Sequence, residues 1–142
     1  MLSCCADLGR RVGVVLLVLS LLLPFAGCAS MDSVKPGSGR TWEARGRSYE
    51  EIWRAAIQVM NEHADIVRQD QAQGIIIADR PYHFMGDNGW FGIFITPTSQ
   101  ASEKYRVEAV YRTRLYGQIP MQSWEQKLLR DIADTLEGRP LR

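Results

Sequence analysis

The stretch YRVEAVYRTRLY, residues 105–116, decides the fold because apolar and charged side chains alternate along it. Successive side chains of a β-strand point to opposite faces, so this period of two predicts a strand with one buried and one solvated face. One face carries Tyr105, Val107, Ala109, Tyr111, Thr113 and Leu115, and the other carries Arg106, Glu108, Arg112 and Arg114, broken only by Val110 and Tyr116. A sheet built on this strand must bury its apolar face against another layer.

Two segments upstream predict a β-hairpin. Asp65–Gln69 and Ile75–Asp79 are rich in β-branched residues and flank Asp70–Gly74, which has the composition of a turn. The three isoleucines at 75–77 do not alternate with polar residues, so we expect their strand to be central in the sheet or packed on both faces. Pro81 ends the strand, because proline has no N–H to donate.

Two further strands complete the predicted sheet. Trp90–Thr96 has Phe91, Ile93 and Ile95 on one face, whereas Gly92 is on the other, where we expect no room for a large side chain. Thr41–Gly46 alternates over a shorter distance and predicts a first strand.

Two amphipathic helices are predicted at the two ends of the domain. Ser48 and Glu51 have the spacing of a capping box, and the last helix begins between Pro120 and Ser123. The apolar stripes are Tyr49, Ile52, Trp53, Ala56, Ile57 and Met60 in the first helix, and Trp124, Leu128, Leu129, Ile132 and Leu136 in the second. Gly138 and Pro140 then end the second helix.

The predicted fold class is therefore α+β. The order β-α-β-β-β-β-α, with a sheet of 4–5 antiparallel strands, predicts a two-layer sandwich in which both helices cover one face. We expect this domain to span residues 41–138 and a short tail to follow at 139–142.

The N-terminus has the layout of a secretory signal. Arg10 and Arg11 precede an apolar run, Val12–Phe25, and small residues then lead to Cys28. The run is shorter than the roughly 20 apolar residues that cross a bilayer. A short membrane anchor, ordinary signal cleavage near Cys28 and a buried helix remain as other interpretations of the stretch.

The tetrapeptide Phe25-Ala26-Gly27-Cys28 resembles the lipobox of bacterial lipoproteins and departs from it at Phe25, where that family prefers Leu. The resemblance implies a signal peptide at 1–27, cleavage before Cys28 and attachment of lipid to the Cys28 sulfur. Residues 28–40 would then be the acylated cysteine and a flexible tether rich in Gly, Ser and Pro. By the same resemblance, Ala29 after the cysteine implies the periplasmic face of the outer membrane.

The folded part also resembles the small α+β domains of bacterial envelope lipoproteins. Its helix opening, Tyr49–Ala56, and its strand segments Gly74–Ala78 and Tyr105–Ala109 resemble domains of the outer-membrane barrel-assembly machinery and of uncharacterised lipoprotein families. The resemblance implies a non-enzymatic structural, assembly or interaction role. Most of these positions are core positions, which specify a fold better than a function.

Composition limits the classes of partner. Without residues 1–27 the chain has 15 basic and 15 acidic residues, and this balance argues against nucleic acid. Cys4 and Cys5 would leave with the signal, and Cys28 would be acylated, so we expect no disulfide, no thiolate metal site and no cysteine nucleophile. We predict no cofactor; the expected partners are the membrane, through Cys28, and envelope proteins.

Candidate functional residues are few. We expect His63 to lie at the helix end or on the surface. The candidate interface residues are Tyr82, His83, Phe84, Trp90, Arg106, Arg112 and Arg114, because aromatic residues and arginine are enriched in interfaces. The arginines alternatively form a charged face that keeps the sheet soluble. Two other functions stay open: a small-ligand or lipid-binding module with an apolar groove between helix and sheet, and an enzyme using the His83 loop, with Asp87 nearby.

Overall fold

The computed structural model describes residues 30–81, 88–98, 104–114 and 123–140. A short 3₁₀ helix, Met31–Ser33, precedes the first strand. The strands are β1 (Arg40–Arg45), β2 (Asp65–Asp70), β3 (Ile75–Arg80), β4 (Gly89–Pro97) and β5 (Lys104–Thr113), and the helices are α1 (Tyr49–His63) and α2 (Trp124–Leu136).

The five strands form one antiparallel sheet in the order β1-β5-β4-β3-β2. The predicted α+β class and the predicted order of strands and helices are confirmed. The isoleucine-rich strand β3 lies between β4 and β2, as its lack of alternation predicts. Strand β5, which contains the alternating stretch that begins at Tyr105, pairs with β1 on one side and with β4 on the other.

The capping box at the start of α1 is confirmed. The Ser48 backbone N–H donates to the Glu51 carboxylate at 2.8 Å, and the Glu51 backbone N–H donates to Ser48 Oγ at 3.3 Å. The hydrogen bond from the Ser48 backbone lowers the pKa of Glu51, and that from the Ser48 hydroxyl lowers it further. Two N–H groups that helix geometry leaves without partners are satisfied in this way, which fixes where α1 begins.

The main core lies between the sheet and the two helices. Phe91 at its centre packs against Tyr111 and Trp124, with ring centroids 5.3 and 5.4 Å apart. Trp53 is buried in the same core, as the apolar stripe of α1 predicts. Both predicted helix stripes and the apolar sets of β4 and β5 therefore meet in one layer, which we call the helix side of the sheet.

The opposite side of the sheet is here called the outer face, and residues 34–39, which we call the strap, cover part of it. Val34 is 5% exposed and forms a second, smaller core with Phe94 and Val110. A Cβ added to Gly92 would lie only 2.3 Å from Val34 Cγ1, so the predicted lack of room for a larger side chain at Gly92 is confirmed.

The strap is held by one carboxylate on the outer face. Glu108 is 7% exposed and accepts hydrogen bonds of 2.8–2.9 Å from the backbone N–H groups of Gly37, Ser38 and Gly39. Gly37 has a φ of +89°, and a Cβ on Gly39 would lie 2.0 Å from the Ala109 carbonyl oxygen. Glycine at both positions is therefore required for the strap to reach Glu108.

Two sequence predictions are wrong here. Residues 31–40 are not a flexible tether, because the strap buries Val34 and donates to Glu108, and β1 already begins at Arg40. The outer face of β5 is not simply solvated, because the strap buries Glu108 and Val110. Gly37, Ser38 and Gly39 have the composition of a flexible linker, but here they let the backbone of the strap come close to Glu108.

We expect Glu108→Ala to lower the free energy of unfolding by about 3 kcal/mol, since three part-buried hydrogen bonds to backbone N–H groups lose their charged acceptor. Urea denaturation measures this change, and hydrogen exchange should quicken at the amides of residues 37–39. Glu43→Ala is the matched control, because Glu43 is an exposed carboxylate on β1 that pairs with its neighbour Arg45. Equal stability of the two variants would contradict a structural role for the Glu108 bonds.

Candidate functional site

The predicted interface residues are divided by the structure. Cys28, Tyr82, His83 and Phe84 lie outside the described residues, as does Asp87. Trp90, Arg112 and Arg114 lie close together at one end of β4 and β5. Arg106 lies six residues from Arg112 along β5, which is about 20 Å in an extended strand, and it faces Glu43 of β1.

Four residues form what we call the outer patch: Asp79, Trp90, Arg112 and Arg114. Strand register places Trp90 between Asp79 of β3 and Arg112 of β5. The Arg114 guanidinium carbon lies 4.6 Å from the centre of the Trp90 ring, and Arg114 Nη2 lies 2.6 Å from Asp79 Oδ1. A cation over a tryptophan ring is attracted to its π-face, so Arg114 is held by two contacts.

Arg112 joins the outer patch to the strap. Its Nη2 donates to Ser38 Oγ at 2.5 Å, and its Nη1 donates to its neighbour's carbonyl, that of Tyr111, at 2.8 Å. The Glu125 carboxylate at the start of α2 lies 3.9 Å from the same guanidinium. Arg112 therefore has a fixed direction set by three parts of the fold.

The outer patch is suited to protein recognition more than to catalysis. The side chains of Arg112 and Arg114 keep 31% and 34% of their surface exposed although both have internal partners. Side chains that are already ordered lose little conformational entropy when a partner binds. Tryptophan and arginine are also the residue types that most often dominate binding energy in interfaces.

A second polar cluster links the two helices. His63 Nε2 lies 2.8 Å and Lys127 Nζ 2.9 Å from the same oxygen of Asp131, whose residue surface is 2% exposed. Arg80 donates to the His63 carbonyl at 2.9 Å and stacks over Trp124 at 4.2 Å. The cluster therefore ties the end of α1 to α2 and to the end of β3.

His63 is the last residue of α1, as predicted, but its side chain is not on the surface, because it is only 16% exposed and contacts Asp131. Sequence reasoning also missed Asp131, which sits among the apolar residues of α2. Lys127 lies four residues before Asp131, which is the spacing at which side chains on one helix face contact each other. This spacing is the one local pattern that indicates a partner for Asp131. The contact with His63 depends on tertiary packing and has no local pattern.

Two clefts bear on the ligand-binding hypothesis. One, of about 600 Å³, is lined by Gln58, Glu62, Thr135, Gly138, Arg139 and Pro140. The other, of about 210 Å³, lies beside it along α1 and α2 and includes Arg47, Glu51 and Arg54. Both clefts lie between the helices and are open to solvent, and most of their lining residues are polar. They differ in this from the groove that the ligand-binding hypothesis predicts, which is apolar and lies between helix and sheet.

Within the ranges 30–81, 88–98, 104–114 and 123–140, no three His, Cys, Asp or Glu side chains are grouped so as to hold a metal ion. In the same ranges no helix has the length and apolar character needed to cross a bilayer. Comparison with known proteins gave no match to a protein-family model and no significant sequence match to a curated protein.

We expect Asp131→Ala to lower the free energy of unfolding by about 3 kcal/mol, because it removes a buried carboxylate that His63 and Lys127 both contact. Thermal or urea unfolding of the purified protein measures the loss. Glu62→Ala, an exposed acidic position on α1, is the control and should leave stability unchanged. A neutral Asp131→Ala variant would contradict the view that this cluster joins the helices.

Proposed function

We propose that this chain is a bacterial lipoprotein, anchored through acylated Cys28 to the periplasmic face of the outer membrane. There it acts without catalysis as a docking module for another envelope protein. The signal-like segment with Phe25–Cys28 supports the anchor. The outer patch supports the docking role and is the single observation on which that role depends.

The outer patch favours a protein partner for physical reasons. Trp90 offers a large, rigid, half-buried surface, and Arg114 already lies over its ring. The guanidinium groups of Arg112 and Arg114 can each donate further hydrogen bonds from their exposed edges, since guanidinium has five N–H donors. A partner with a carboxylate and an apolar side chain would match these groups.

Lipid attachment is tested by metabolic labelling with an alkyne-bearing fatty acid, followed by membrane fractionation. The wild-type chain should carry the label and sediment with membranes, whereas Cys28→Ala should carry none, because acylation requires that sulfur. The Cys4→Ala, Cys5→Ala double variant is the matched control and should be labelled like wild type. Label that persists in Cys28→Ala, or an unmodified thiol on the mature chain by mass spectrometry, would refute the lipoprotein assignment.

Docking through the outer patch is tested by photo-crosslinking in intact cells. A benzophenone amino acid placed beside the outer patch, at exposed position 36 or 81, should give a discrete adduct with another envelope protein. The control position is 130, where Arg130 is exposed on α2, away from the outer face. Adducts of equal yield at 130, or none at 36 and 81, would remove the outer patch as the docking surface.

A further inference from the structure

We infer that this chain associates with a second copy of itself edge to edge, so that strand β1 of one copy adds to strand β2 of the other. The contact continues the β-sheet from one copy into the next. It goes beyond the proposed docking role, because neither the outer patch nor acylation of Cys28 takes part in it.

The two outermost strands of the sheet each leave one edge without a neighbouring strand. In the part of the chain that the structure describes, β1 pairs only with β5, and β2 pairs only with β3. Backbone N–H and C=O groups along such an edge can bind a further strand. Both edges are open to solvent, with exposed residues at Thr41, Glu43, Arg45, Asp65, Val67 and Arg68.

The alternation of the strands fixes the direction in which the two edges meet. All neighbouring strands in the order β1-β5-β4-β3-β2 are antiparallel, so β1 and β2 run in the same direction. A second copy that is displaced along the sheet, with its helices on the same side, therefore places its β1 parallel to β2. Outer-face side chains of one copy then lie beside outer-face side chains of the other.

A β-bulge determines which residues of β2 lie on the outer face. The register between β2 and β3 shifts between Ile66 and Arg68, so Val67 is an extra residue. Since Asp65 is opposite Asp79 of the outer patch, the outer-face residues of β2 are Asp65, Arg68 and Asp70. Those of β1 are Thr41, Glu43 and Arg45, because Thr41 is opposite Glu108.

The charges of the two edges are complementary in one parallel register. Glu43 of one copy lies beside Arg68 of the other, and Arg45 lies beside Asp70, so both pairs have opposite charges and attract each other. A shift of two residues in either direction would place Glu43 beside Asp70 or Asp65, which repel it. The charges therefore select this register.

The same register brings apolar side chains together on the helix side. Trp42 of β1 comes beside Ile66 of β2, and both residues are half-buried and pack against the main core of their own copy. Their contact removes further apolar surface from water. The paired edges thus join the main cores of the two copies.

Charged edge residues commonly prevent pairing between identical edges. Two β2 edges related by a two-fold axis are antiparallel, and full overlap would place Asp65 of each copy beside Asp70 of the other. Like charges oppose that arrangement, whereas the β1–β2 contact joins unlike edges. One copy then keeps a free β1 edge and the other a free β2 edge, so further copies can add.

Cysteine crosslinking of the full chain in intact cells tests the contact. Thr41→Cys and Asp65→Cys place thiols at neighbouring positions of the paired edges and leave both charge pairs in place. Oxidation should convert the double-cysteine chain into dimers and larger species on a non-reducing gel. Each single-cysteine chain should stay at the wild-type background, and the two coexpressed should give a dimer and nothing larger.

Charge reversal in the double-cysteine chain tests the register. Arg68→Glu should lower the crosslink yield about fivefold, because it would lie beside Glu43, and adding Glu43→Arg should restore the yield. Arg45→Glu should lower it similarly, since it would lie beside Asp70; it is opposite Lys104 in its own sheet and so is compatible with the fold. Arg54→Glu, an exposed position on α1, is the matched control and should leave the yield unchanged.

Three results would overturn the inference. They are the absence of oligomers in the double-cysteine chain, equal oligomers in a single-cysteine chain, and a yield that Arg68→Glu and Arg45→Glu leave unchanged. Protease resistance of each variant in the same cells reports whether its fold is intact. The labelling of Cys28 and the benzophenone adducts test the proposed function separately, so failure of one does not imply failure of the other.

Discussion

The hydrogen bonds between the Glu108 carboxylate and the amides of residues 37–39 determine the arrangement of the outer face. A buried carboxylate is costly unless its oxygens are satisfied, and here backbone donors satisfy them. The same bonds seat Val34 over Phe94 and Val110. They hold the strap over part of the outer face, whereas the helices cover the other side of the sheet.

Two buried carboxylates thus have corresponding roles on opposite sides of the sheet. Glu108 attaches the N-terminal segment to β5, and Asp131 attaches the end of α1 to α2. Each joins parts of the chain about 70 residues apart. Removing either acid would leave the hydrophobic periodicity intact and would loosen one layer relative to its neighbour.

The layered fold could be predicted because its signals are local. The alternation at 105–111, the stripe of α1 and the box at Ser48 and Glu51 each depend on spacing within a few residues. The strap could not be predicted, because Gly37-Ser38-Gly39 has the same composition whether it is a linker or a close-approach segment. Glu108 is one of the polar residues in the alternating pattern of its strand, so the pattern predicts that it is solvent-exposed. Its role as a hydrogen-bond acceptor depends on a segment that is distant in the sequence.

The geometry of the candidate site could be predicted only in part, for the same reason. Residue types identified Trp90, Arg112 and Arg114, but only strand register and the cation–π contact bring them together. Arg106 has the same type and face yet lies about 20 Å away along the strand. The lipid attachment at Cys28 rests on sequence resemblance and stays a proposal.

The position of the strap's acceptor has a consequence for the order of folding. The amides of residues 37–39 cannot bind Glu108 until a residue 69–71 positions later is present and β5 has paired. A chain that is made N-terminus first therefore presents the strap without its acceptor until the strand at 104–113 arrives. The strap is one of the earliest segments of the described fold in the sequence and is among the last to reach its final contacts.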